Sequence, residues 1–181
     1  MSTDVRTDLR TLERMLEDLE PYLLSTVTFW PLGGAGLPQL SLGQLFLVLR
    51  RLSVVKEAQA PIETVESVLA KWHSAAARKA DHELPQRVRL WHDHLADLEI
   101  GTGRAPFASD VSQRVIIELM VERYPELAHT VAGLEVPVLD TQLRAIWRAG
   151  ASLWPGTEPI FARERYWFLY GAPEAAQHPH R

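Results

Sequence analysis

Apolar residues recur at Val5, Leu9, Leu12, Leu16, Leu19 and Leu23, in alternating steps of four and three that draw one stripe along a helix. Ser2, Thr3 and Asp4 suit its N-terminus, and Glu13, Glu17, Asp18 and Glu20 make its outer side acidic. Such a stripe serves either a bundle helix or a seam between two chains, which makes Leu12 and Leu19 interface candidates. It lasts less than three heptads, and Met15, Tyr22 and Leu24 widen it toward bundle proportions.

Residues 21 to 49 carry no charge at all. Gly33, Gly34, Gly36 and Gly43, with Pro21, Pro31 and Pro38, prevent a single helix there, so the pattern predicts a turn, a loop and then a buried helix capped by Ser41. In that helix Leu42, Leu45, Phe46, Leu49 and Leu52 face inward, and Arg50, Arg51 and Lys56 mark the exit to water. The whole stretch must be core, interface or membrane contact.

Helical periodicity continues. Pro61 opens a helix with Ile62, Val65, Leu69, Trp72 and Ala76 on its buried side. Pro85 breaks or restarts the pattern, after which Val88, Trp91, Leu95 and Leu98 repeat it up to Gly101. A loop over 101–107 leads to a helix capped by Ser109, with Val111, Val115, Ile116 and Leu119 inward and Pro125 at its end. A short piece over 126–134 and a short helix over 139–150 follow. Aromatic and proline content then suits an extended, packed strap with room for a small hairpin. The expected fold is all-α: one domain over residues 1–171, a bundle of five or six helices with an irregular aromatic-rich C-terminal strap, and a flexible tail over 172–181.

Composition narrows the classes. The chain has 181 residues, 46% hydrophobic and 23% charged, enough for a core that needs no disulfide or metal to hold it. No cysteine is present, which removes disulfides, thiolate catalysis and cysteine-ligated metals. A net charge of −4 argues against a chain devoted to phosphate backbones. The start of the chain is polar, and no run is long and apolar enough for a transmembrane segment, so a cytoplasmic protein is expected. Sixteen arginines against three lysines, and no asparagine, fit a GC-rich genome and a warm-living host rather than a function.

The chemistry-bearing strings are short. His92-Asp93-His94 places a His-Asp pair on a helix, as in helical metal-dependent phosphohydrolases. The two histidines lie about 200° apart around that helix, so a straight helix cannot aim both at one ion. Glu126 and His129 repeat the Glu-x-x-His spacing of di-iron bundles, but one copy is half of such a site. Helix-surface hydrogen bonding explains all five residues without a metal. The clusters Gly33-Gly34-Ala35-Gly36 and Gly101-Thr102-Gly103 complete no phosphate-binding fingerprint and read as turns.

Six tryptophans are more than a chain of this size usually carries, and several neighbour arginines: Arg144 and Arg148 flank Trp147, and Arg163 and Arg165 precede Trp167. These residue types anchor protein interfaces. Phe29, Trp30, Trp154, Arg163, Arg165 and Trp167, outside the regular helices, therefore join Leu12 and Leu19 as interface candidates. Residues 71–89 are mainly basic and 92–135 mainly acidic, which suits complementary docking or two solvated faces. The leading expectation is a non-catalytic adaptor or assembly subunit that binds itself or another protein and needs no cofactor. A helical small-molecule binder with a tryptophan-lined pocket is the second, and a metal-dependent hydrolase or oxidase the third.

Overall fold

A computed structural model describes residues 3–34, 36–100 and 107–174. The expected cap at the first helix, the Gly101 terminus with its loop, and most of the tail lie outside the described residues. Among them the order is α1 (Thr3–Leu24), α2 (Leu42–Leu52), α3 (Gln59–Lys71), α4 (His73–Ile100), α5 (Phe107–Arg123), α6 (Val131–Ala145), β1 (Trp147–Ser152) and β2 (Tyr170–Pro173). Short 3-10 turns occupy Lys56–Ala58, Pro125–His129 and Trp167–Leu169. The fold is an all-α bundle closed by one small antiparallel strand pair.

Helix α2 is the central element, packed against α1, α4 and α5. The two ends of the uncharged stretch are core, since Tyr22, Leu23, Leu40 and nearly all of α2 are buried, whereas between them only Leu32 is buried among the described residues. The loop within it is pinched where Trp30 and Leu40 exchange backbone hydrogen bonds of 2.8 Å each. Leu12 and Leu19 are fully enclosed inside the chain. That corrects their candidacy as interface residues: α2, α3 and α4 cover the α1 stripe.

A buried polar cluster fixes the start of α2. Ser41 caps the helix, its Oγ accepting from the Gln44 N–H at 3.2 Å. The same hydroxyl donates to Glu83 Oε1 at 2.7 Å and accepts from Arg87 Nη2 at 2.8 Å. Glu83, fully buried on α4, also accepts from the Gly43 N–H at 3.2 Å and from Arg87 Nε at 2.9 Å. A carboxylate at the positive end of the helix dipole is favourable, and Arg87 neutralises it. Burial, with Glu83 nearby, pushes the Tyr22 hydroxyl well above its ordinary pKa. Tyr22 thus remains neutral, donating to the Thr28 carbonyl and accepting from the Leu42 N–H, each at 3.2 Å.

Several helix boundaries differ from the sequence pattern. The run after Pro61 divides at Trp72 into α3 and α4, and Pro85 lies inside α4 without ending it. Helix α5 begins at Phe107, two residues before Ser109, the expected cap. Helix α6 begins at Val131 and ends at Ala145, so residues expected at the end of a helix over 139–150 form β1 instead. The strap pairs β1 with β2 in the register Trp147↔Pro173, Arg148↔Ala172 and Ala149↔Gly171. Ala172 and Pro173 thus belong to the fold rather than to the tail.

Candidate functional site

Helix α6 is apolar on two sides. Thr130 caps it, its hydroxyl accepting from the Gly133 N–H at 3.1 Å. Ala132, Gly133, Val136, Leu139 and Leu143 face the bundle. Val131, Leu134 and Val138, spaced i, i+3, i+7, face away and are 81%, 61% and 59% exposed. A soluble surface helix normally places polar residues there. At the start of this face a hollow of about 600 Å³ separates α6 from α4, lined by His82, Pro85, Gln86, Thr130 and Val131. The stripe is apolar, whereas the hollow beside it is mixed, with Thr28, Asp81, His82, Gln86 and Thr130 around Pro85, Val131 and Ala132; exposed apolar stripes of this kind mark docking sites.

The strap's aromatic and basic residues are engaged within the chain. Arg165 Nε donates to Glu118 Oε1 at 2.8 Å and approaches Glu122 at 3.5 Å. Tyr166 donates to Glu122 at 3.2 Å, and Arg50 from α2 reaches the same carboxylate at 2.6 Å. Burial opposes the Glu122 charge, but Arg50, Arg165 and Tyr166 outweigh it and hold the carboxyl below its ordinary pKa. Burial also pushes the Tyr166 hydroxyl up to about 12, so it remains a donor at neutral pH. Arg114, buried beside them, forms a bidentate pair with Asp140 at 2.8 Å and bonds Glu118 at 2.8 Å. Arg163 lies over the Tyr170 ring, Trp167 meets Trp147 edge-on beneath Arg144, and Phe29 lies under Arg87. Trp30 forms the pinch with Leu40. The strap is thus clamped onto α5 and α6.

A second concavity, a groove of about 800 Å³, opens where α1, the end of α2 and residues 153–160 meet. Val5, Asp8, Arg51, Val54, Trp154 and Ile160 line it. The Trp154 indole is held by its Nε1–H donating to the Ala108 carbonyl at 3.1 Å and by edge contact with Phe161. Arg51 lies over that indole, 5.0 Å from its centre.

The metal candidates do not assemble. His92 and Asp93 stand side by side in solvent, Nδ1 to Oδ1 at 3.4 Å. His94 turns inward, 3.0 Å from Asp110 and stacked on Trp91, with Phe107 beyond. Burial pushes His94 below the ordinary histidine pKa, against the pull of Asp110 and Asp97. Glu126 and His129 lie exposed on the Pro125–His129 turn. Among the described residues no three histidine, aspartate or glutamate side chains converge on a possible metal position. The helical twist that separates His92 from His94 is the reason.

The α6 face escaped the sequence pattern because that pattern divides the run into a short piece over 126–134 and a separate helix over 139–150. The spacing of Val131, Leu134 and Val138 alongside Ala132, Val136, Leu139 and Leu143 was the available signal. No helix among the described residues is long and apolar enough to cross a membrane. No protein family, no curated protein and no solved structure matches this chain.

Proposed function

We propose that the protein is a non-catalytic helical interaction protein of the cytoplasm, an adaptor or assembly subunit that docks a protein partner on the outer face of α6. The observation that carries this reading is the exposure of Val131, Leu134 and Val138 on a helix whose opposite side is already buried. A partner's apolar residues would cover the stripe, and polar groups of the partner would meet the Asp81, His82 and Gln86 side of the hollow. The cysteine-free sequence suits a reducing compartment.

The test is a face variant, Val131→Ser with Leu134→Glu and Val138→Glu, compared with the parent by light scattering and by size-exclusion of cell extracts. Because the three side chains are exposed, the variant should keep its helical signal, and each substitution should change stability by no more than roughly 0.5 kcal/mol. The parent is expected to travel as a complex, with itself or with another protein, and the variant as a free monomer. A variant that retains the parent's assembly mass refutes the reading.

A further inference from the structure

We propose that the groove between α1, α2 and the strap binds a small amphipathic monoanion: a flat apolar body carrying one carboxylate- or sulfonate-like group. This inference concerns a different surface from the α6 face and stands apart from the interaction reading.

Arg51 carries the argument. Its guanidinium has five N–H donors, yet among the described residues it donates no hydrogen bond, and its approach to Asp8 is 3.9 Å, beyond bonding range. Arg87, Arg114, Arg123 and Arg165, by contrast, each donate to identified acceptors. The Arg51 side chain is 33% exposed at the groove, so its donors are open to a ligand that enters from solvent. Stacking on Trp154 restrains the guanidinium, and the hydrogen bond from Trp154 to Ala108 restrains the indole in turn. A planar, prepositioned fork matches the two oxygens of a carboxylate or sulfonate.

The walls define the rest of the ligand. Val5, Val54 and Ile160 line the groove with the indole, and Val54 is 71% exposed although apolar. A flat hydrocarbon body laid along Trp154 would cover them, and the volume of about 800 Å³ suits a small organic molecule. Asp8 adds a selectivity element. Its carboxylate beside Arg51 repels a second negative charge, which favours a monoanion over a doubly charged phosphate ester.

The experiment titrates the full chain with 8-anilinonaphthalene-1-sulfonate, a flat apolar monoanion, against the uncharged N-phenyl-1-naphthylamine. Tryptophan emission and probe fluorescence are both followed. The expected result is saturable one-to-one binding of the sulfonate, weakened at least tenfold by Arg51→Gln, tightened by Asp8→Asn and unchanged by Leu134→Glu on α6. Val54→Glu keeps the test decisive if Arg51→Gln folds poorly: the position is exposed, and a carboxylate at the groove mouth should also weaken the sulfonate at least tenfold. Three results overturn the proposal: no saturable binding, equal affinity for the uncharged probe, or loss of binding in Leu134→Glu with none in Val54→Glu.

Discussion

Gly43 is where α2 comes closest to its neighbours. A Cβ at that position would stand 2.3 Å from Ile116 Cγ2 and 2.8 Å from Glu83 Oε1. Gly43→Ala is therefore expected to destabilise the fold by roughly 1 to 3 kcal/mol through overpacking, read as a lower urea midpoint. An unchanged midpoint contradicts the tight α2–α5 approach. Glu83 presents the electrostatic counterpart. Glu83→Ala leaves Arg87 buried without its carboxylate and should remove about 3 to 5 kcal/mol, whereas Glu83→Leu combined with Arg87→Leu should restore much of that loss. If the double variant is no more stable than the single one, charge pairing is not what the pair contributes. His94 links the core to pH. Its folded pKa lies below the ordinary 6.5, so the unfolded chain binds the proton more readily. The His94 contribution is complete above pH 6.5 and declines as the pH falls from there toward the lower folded value. Melting curves from pH 8 to 5 should show that decline, reduced in His94→Gln; identical slopes would exclude it.

At the scale of elements, α4 shows where pattern and packing part. Pro85 offers no N–H to the Asp81 carbonyl, a defect that ends many helices. Leu84, Val88 and Trp91 are nevertheless all buried, and continuing the helix through Pro85 is what keeps them in register with the core. The Asp81 side lies on the surface, where water can serve the carbonyl. Pro85→Ala restores the hydrogen bond and is expected to raise stability by about 1 kcal/mol, measured by thermal melting. A fall in stability would mean that the restricted unfolded chain matters more than the lost bond. The residues pointing inward on α2 and α5 were legible because their periodicity is uninterrupted. The α3–α4 break at Trp72 was not, since no proline or glycine marks it. The start of β1 at Trp147 was equally hidden, because it is fixed by pairing with Pro173, far along the chain.

For the whole molecule, helical class and buried-stripe residues follow from sequence, whereas partner choice among charged and aromatic residues does not. Arg163, Arg165 and Trp167 carry the composition of an interface, yet they contact Gly150, Glu118 and Trp147 within the chain. Only the fold reveals which of several acidic and aromatic residues they meet. Leu12 and Leu19 teach the same point: a heptad stripe specifies a buried face without saying whose surface buries it.

The Ser41–Glu83 bond joins residues 42 positions apart. During synthesis α2 therefore leaves the ribosome before the carboxylate that completes its first turn, and the uncharged segment ahead of it emerges without its covering helix. Through that interval the nascent chain exposes apolar surface that the finished fold covers, and such surface favours aggregation. Slow codons between Leu49 and Arg87 should increase aggregation of the newly made protein, while the same codons placed ahead of Pro21 should leave it unchanged.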